Sequence, residues 1–186
     1  MLGGGGELIQ ESGQNDLLFN DLLCLAVRQD QDKIGKWLIS KGADISARDN
    51  SYMTPLHIAV ENDAYEIAEI LIAIGANVNA PGSLFRTPLY FATSKRMCEF
   101  LISKGAAINV RDMLSAMTPL HCAAEYGFPI EVCAALIKAG ADIHTKDENG
   151  RTPFDIASEF GASSEVLDIL NPQGANHSVI SEQSEQ

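Results

Sequence analysis

One tetrapeptide recurs four times along this chain, and its spacing constrains the fold more than any other feature. Thr54-Pro55-Leu56-His57, Thr87-Pro88-Leu89-Tyr90, Thr118-Pro119-Leu120-His121 and Thr152-Pro153-Phe154-Asp155 stand at intervals of 33, 31 and 34 residues. A second marker keeps step with them: Gly42-Ala43-Asp44-Ile45, Gly75-Ala76-Asn77-Val78, Gly105-Ala106-Ala107-Ile108 and Gly140-Ala141-Asp142-Ile143, at intervals of 33, 30 and 35. Self-similarity at a period of roughly 20 to 50 residues marks small units that cannot bury an apolar face alone and must stack on their neighbours. Counting one period back from Thr54 reaches Asp21. The alanine five residues on then aligns at Ala26, Ala59, Ala92, Ala123 and Ala157, which gives five units, the first and last atypical.

The markers have a local physical meaning. Threonine is a good N-cap and proline suits the first helical position, so each Thr-Pro opens a short helix that the alanine allows to pack closely. A second helix follows, with apolar residues at helical spacing: Ile34, Trp37, Leu38 and Ile39 in unit one, Ile67, Ile70, Leu71 and Ile72 in unit two, Met97, Phe100, Leu101 and Ile102 in unit three. Gly42, Gly75, Gly105 and Gly140 sit where such a helix stops.

On these motifs the chain resembles the ankyrin-repeat family over residues 16 to 170. The resemblance implies an all-α fold, an ankyrin-repeat solenoid of stacked helix-turn-helix units with projecting hairpin-like loops. The units fall at approximately 16–48, 49–81, 82–111, 112–146 and 147–170. Residues 1–15 are expected to form a flexible N-terminus and residues 171–186 a disordered polar tail. Neighbour-to-neighbour stacking should supply the stability, with polar outer faces on the terminal units.

Composition excludes several function classes. Lysine and arginine number 13 against 25 aspartates and glutamates, a formal charge of −12, which opposes binding to a phosphate backbone or an anionic membrane. The longest apolar runs, such as Leu22 to Val27, are far shorter than the ~18 residues of a membrane span. The first seven residues lack the basic and apolar regions of a secretory signal, and Cys24, Cys98, Cys122 and Cys133 are too few and too irregular for a disulfide framework. A cytoplasmic location is expected, the host cytosol if the chain is a translocated effector.

Catalytic and metal chemistry finds no support in the spacing. There is no C-x-x-C pair and no H-E-x-x-H, and adjacent His121 and Cys122 point to different sides of a helix. Gly3 to Gly6 lack the Gly-Lys-Ser/Thr of a phosphate loop. By resemblance, His57 and His121 take the family's structural histidine slot, Cys98 and Cys133 the small core slot of Ala68. Asn79 and Asn109 match a loop asparagine that protein hydroxylases modify in many relatives, although a turn-forming role accounts for both. Asn176-His177-Ser178 has the form of a glycosylation sequon. No cofactor, metal or catalytic residue is expected.

The departures from the period carry more information. Unit three has lost three residues between Ala92 and Met97, nearly one turn at ~1.5 Å per residue, so its first helix should be short. The family's cyclin-dependent kinase inhibitors also have one repeat with a stunted first helix. Family loop tips usually read Asp-x-x-Gly-x-Thr-Pro, the glycine supplying positive φ. Only Asp147 to Pro153 obeys; the other tips place Tyr52, Phe85 and Ala116 in the glycine slot, with Met53, Leu84, Arg86, Met113, Leu114 and Met117 around them.

The expected activity is therefore non-catalytic protein binding through the loop tips and the concave face. By resemblance the contact residues are Tyr52, Met53, Glu61 and Asn62 in unit two, and Leu84, Phe85, Arg86 and Lys95 in unit three. Units four and five add Leu114, Met117, Glu125, Tyr126, Arg151 and Phe160. Apolar anchors among acidic residues imply a partner protein with an apolar patch in a basic surround, bound by a monomer. The alternatives are a bacterial effector acting on a host protein, or a regulatory or inhibitory subunit of an enzyme such as a kinase.

Overall fold

The computed structural model describes residues 21–171, which divide into two compact units at Asn77 and Val78. The expected N-terminal flexible segment and the tail from residue 172, with its sequon, lie outside the described residues. Every helix begins and ends where the repeat markers put it.

In the first unit, residues 21–28 form the helical segment α1, followed by α2 (Asp32–Ser40), α3 (Pro55–Glu61) and α4 (Tyr65–Ala73). Thr54 caps α3 in a capping box: its hydroxyl accepts the His57 N–H, and His57 Nδ1 accepts the Thr54 N–H at 3.2 Å. At the far end of α2, Gly42 takes φ +89°, the Ala43 N–H donates to the Leu38 carbonyl and the Gly42 N–H to Ile39. These two bonds close a Schellman motif, and the same pair recurs after α4.

Packing between successive helix pairs is close enough to select a glycine. A Cβ added to Gly35 of α2 would stand 3.3 Å from Ile67 Cδ1 of α4 and 4.0 Å from Val27, so Ile67 packs flat on the α2 backbone. Leu23, Val27, Leu38, Ile58, Ile67 and Leu71 fill this core. Asn62, at the C-cap of α3, donates its amide to the carbonyls of Val27 and Arg28, both at 3.3 Å.

The second unit holds two 3₁₀ turns, Ser83–Phe85 and Pro88–Phe91, then α5 (Lys95–Ser103), α6 (Pro119–Glu125), α7 (Ile130–Lys138), α8 (Pro153–Glu159) and α9 (Ser164–Leu170). The lost residues show directly: where α3, α6 and α8 each run seven residues, Pro88–Phe91 makes one four-residue turn. The backbone leaves the helical region at Ala92, and the Ser94 hydroxyl caps α5 by accepting the Met97 N–H at 3.1 Å. Asn79 and Asn109 bridge consecutive repeats. Asn79 donates to the Gly105 carbonyl (3.0 Å) and accepts the Ala107 N–H (2.7 Å); Asn109 bonds the Gly140 carbonyl and the Asp142 N–H in the same way.

One expectation fails at the N-terminal end. The outer face of the first helix pair is apolar, with Leu22, Leu25, Ile34 and Trp37 all exposed. The pattern that assigned Ile34 and Trp37 to a core was right about the helix and wrong about the burial. Periodicity identifies an apolar stripe but not whether a neighbour stands against it.

Candidate protein-binding surface

Each loop tip is a short hairpin built on one plan. In the first unit the Asp49 N–H donates to the Met53 carbonyl at 2.9 Å and the Tyr52 N–H to the Asp49 carbonyl at 2.9 Å. The Asp49 carboxylate accepts from the N–H groups of Ser51 and Met53. This closure forces the fourth residue into the left-handed region, and Tyr52 stands there at φ +59°.

The second unit repeats the plan three times. Gly82 and Arg86 close the first of its tips, Asp112 and Met117 the second, Asp147 and Arg151 the third. The left-handed slot is filled by Phe85 (φ +63°), Ala116 (φ +56°) and Gly150 (φ +78°). Gly82 has no carboxylate to tie down its tip, and this is the tip with a second left-handed residue, Leu84 at φ +56°. A non-glycine residue in this region costs roughly 1–2 kcal/mol, so the fold accepts strain at four non-glycine tip positions.

The strained side chains point outward. Tyr52 and Phe85 each expose more than half of their surface, as do Met113 and Leu114, and Leu84 exposes two-fifths. In the second unit the tips are laced together: the Met113 N–H donates to the Leu84 carbonyl at 3.0 Å and the Glu148 N–H to the Ser115 carbonyl at 2.8 Å. Leu84, Phe85, Met113 and Leu114 thus come from two bonded tips. Met113, the most exposed of them, belongs to this group although the contact set expected from sequence omits it. Its signal was the extra residue in the tip after Asp112.

The residue before each tip threonine behaves differently, because successive side chains of an extended segment alternate in direction. Met53 and Met117 turn inward and are buried, so both leave the expected contact set. Arg86 turns inward too: Nε and Nη2 lie 2.9 and 2.8 Å from Asp112 Oδ2, with the Asp112 side chain fully buried, and the guanidinium lies over the Tyr90 ring. Arg151 pairs with Asp147 through Nε at 3.0 Å and with Glu159 through Nη1 at 2.8 Å. Both arginines are neutralised within the fold, which corrects the reading of Arg86 as an open contact group.

The first-helix ends supply a second row. Tyr126 and Phe160 occupy the C-cap positions of α6 and α8 and are both exposed, and the Tyr126 ring lies 6.4 Å from that of Phe128. Glu125 is half-buried beside Tyr126, while exposed Lys95 sits 3.9 Å from Glu99. In the first unit Glu61 is exposed near Arg28 (3.8 Å), and Asn62 is committed to the α1 carbonyls.

The buried chemistry serves the fold. Desolvation pushes the thiols of Cys24 and Cys133 up to about 11 and those of Cys98 and Cys122 up to about 12, which keeps them as neutral, weakly nucleophilic SH groups. His121 bonds Thr118 through Nδ1 and the Arg151 carbonyl through Nε2 at 3.2 Å, so both ring nitrogens are engaged. Among the described residues no cluster of His, Cys, Asp and Glu could hold a metal ion, and no helix is long and apolar enough to cross a membrane.

Helix pairs stacked through a shared core, with loop tips bonded side by side and apolar groups held outward, define a repeat protein that offers a composite surface to another macromolecule. The description Ankyrin repeats (3 copies) matches residues 23–112 and 95–180, and the chain belongs to the ankyrin-repeat family. It is 38% identical over 68 residues to the Homo sapiens cyclin-dependent kinase inhibitor 2A, covering 37% of this chain and 43% of that protein. It is 36% identical over 72 residues to the Sus scrofa NF-kappa-B inhibitor alpha, covering 39% and 22%. A longer match, 29% over 144 residues, is with the Caenorhabditis elegans homolog of transient receptor potential cation channel subfamily A member 1, covering 77% of this chain and 9% of that one. The matches thus span less than half the length of each of these three relatives. The family and these inhibitors suggest a regulatory role exercised by binding protein.

Proposed function

We propose that the chain acts, without catalysis of its own, by binding a partner protein through its loop tips. The observation that supports this most is the strain at Tyr52, Leu84 and Phe85. Large apolar side chains occupy a backbone slot that glycine fills without cost, and they face water there. In the second unit Leu84, Phe85, Met113 and Leu114 form the anchor group, with Tyr126 and Phe160 at the ends of the first helices as a second row. Arg86 and Arg151 are internally paired, and Glu125 and Glu148 stand near the tips of a chain with net charge −12. The fitting partner is an apolar patch with a basic rim. Affinity capture followed by mass spectrometry, comparing the natural chain with a Tyr52→Gly/Phe85→Gly variant, tests the reading. Partners should be lost from the variant while its melting temperature holds. Equal capture by both chains would refute it.

A second reading, regulation of a protein kinase, is favoured by the likeness to inhibitors of cyclin-dependent kinases together with the four-residue turn at Pro88–Phe91. Under this reading the captured partner is a kinase catalytic domain, and adding the purified chain lowers its phosphotransfer rate.

A further inference from the structure

The exposed face of the first helix pair repeats positions that every later repeat buries. Ile34 of α2 corresponds to Ile67 of α4, Met97 of α5 and Val132 of α7, all at most 1% exposed, yet Ile34 is 49% exposed. Leu25 of α1 corresponds to Ile58, Cys122 and Ile156, likewise buried, yet Leu25 is 46% exposed. The Gly35 contact fixes the direction of this face. Ile67 points from α4 back onto α2, so its equivalent Ile34 points away from α2 to the side where a preceding helix pair would stand. Leu22 and Trp37, one helical turn from Leu25 and Ile34, extend the same face, and Trp37 is 52% exposed. The side chains are those of an internal repeat interface.

Charge says what can cover it. Residues 21–49 carry five Lys or Arg against five Asp or Glu, whereas residues 50–171 carry eight against fifteen. The apolar face therefore lies in the one electroneutral stretch of an acidic chain, where two copies meet without the repulsion that opposes any other pairing of their surfaces. The opposite end offers no apolar counterpart. α9 exposes Ser164, Glu165 and Asp168, and no large apolar side chain, so head-to-tail stacking would press Leu25 and Ile34 against carboxylates. A face whose only matching surface is itself forms an isologous contact about a two-fold axis, which closes at two copies.

We propose that the outer face of α1 and α2, centred on Leu25, Ile34 and Trp37, docks a second copy of this chain face to face. The partner-binding tips stay outside this contact, so one dimer would present them twice and gain avidity for a multivalent target.

Trp37 is the single tryptophan, which makes the full-length chain its own reporter. Sedimentation velocity from low micromolar to several hundred micromolar protein should show a monomer–dimer equilibrium, with Trp37 emission shifting to the blue in step with the dimer fraction. Leu25→Glu and Ile34→Glu should each weaken dimerisation at least tenfold with helical circular dichroism unchanged. Leu25→Gln supplies the same comparison should either charged variant fail to fold. Phe85→Ser, at a loop tip, should leave dimerisation intact. Three outcomes overturn the proposal: a monomer at every concentration, a dimer that Phe85→Ser disrupts and the face variants do not, or emission already blue-shifted in a monomer and independent of concentration, which would assign the face to a cover from within the same chain.

Discussion

Thr87 and Tyr90 stand three residues apart at the start of a first helix and do not bond, where Thr54 bonds His57 and Thr118 bonds His121 at 2.8 Å through Nδ1. A phenol has no acceptor that can reach back to its own N-cap. The Tyr90 hydroxyl instead reaches forward, 2.6 Å from the Val110 carbonyl and 2.9 Å from that of Met117, and makes the inter-repeat link that His121 Nε2 makes to Arg151. The substitution keeps the long-range bond and abandons the local one, leaving the Thr87 hydroxyl buried without a hydrogen-bond partner.

A buried hydroxyl without a partner contributes nothing and costs its desolvation, so Thr87→Val should be neutral or stabilising by up to ~1 kcal/mol, while Thr118→Val, which breaks a satisfied pair, should cost about 1–2 kcal/mol. Chemical denaturation of the two variants checks the contrast. Equal losses at both positions would mean that Thr87 is satisfied in solution.

The Arg86–Asp112 pair predicts a different pattern. The Asp112 side chain is fully buried and that of Arg86 is only 16% exposed, so removing one partner strands a charge away from water. Arg86→Met alone should destabilise by about 3–5 kcal/mol, and adding Asp112→Asn should restore part of the loss because the stranded carboxylate is gone. Additive losses in the double variant would show that the two groups do not interact.

Backbone strain at the tips can be measured without any partner. Phe85→Gly and Tyr52→Gly should each leave stability unchanged or raise it by roughly 1 kcal/mol, since glycine takes positive φ freely. Gly150→Ala, in the equivalent slot at φ +78°, should lower it by a similar amount. Thermal melts of the three variants suffice. Loss of stability in both aromatic variants would show that these rings support the fold and would remove the main argument for a contact role.

Much of this was legible in the sequence. Thr-Pro, the closing glycines and the helical spacing of Ile67, Leu71, Met97 and Leu101 are local signals, and the structure buries all four of those side chains while exposing Glu69. The left-handed tip slots were legible for the same reason: closing a four-residue turn fixes φ whatever the side chain. What the sequence hid was direction. Met53 and Tyr52 are adjacent and both apolar, and only the alternation of the extended segment sends one inward and the other out. Arg86 looked like a surface cation because its partner lies 26 residues away. The apolar outer face of the first helix pair was illegible because Leu25 and Ile34 obey the same pattern as Ile58 and Ile67, and the difference lies in what stands beside them.

The last prediction concerns acid. His121 is fully buried, and this desolvation holds its pKa below the ordinary histidine value, against the opposing pull of its bond to the Arg151 carbonyl and of Asp147 nearby; Arg111 adds to the lowering. In the unfolded chain the imidazole titrates near 6.5, as a model peptide does. Above that pH both states are neutral at this site and stability is indifferent to it. Below it the unfolded chain takes up a proton that the folded chain refuses, so the unfolded state gains and stability falls as the pH drops toward the lower folded value. Asp142, Asp147 and Asp155 act in another window: backbone N–H groups help to hold all three carboxyls below their usual range, so their contribution is present above about pH 4 and is lost only in stronger acid. Between pH 7 and 5 the two effects separate. His121→Gln keeps an acceptor for the Thr118 N–H and removes the titrating group. The variant should be less stable than the natural chain at pH 7, because it gives up the bond to Arg151, but it should lose less on going to pH 5. Urea unfolding at both pH values reads the difference, and parallel losses in the two proteins would show that His121 does not control stability in mild acid.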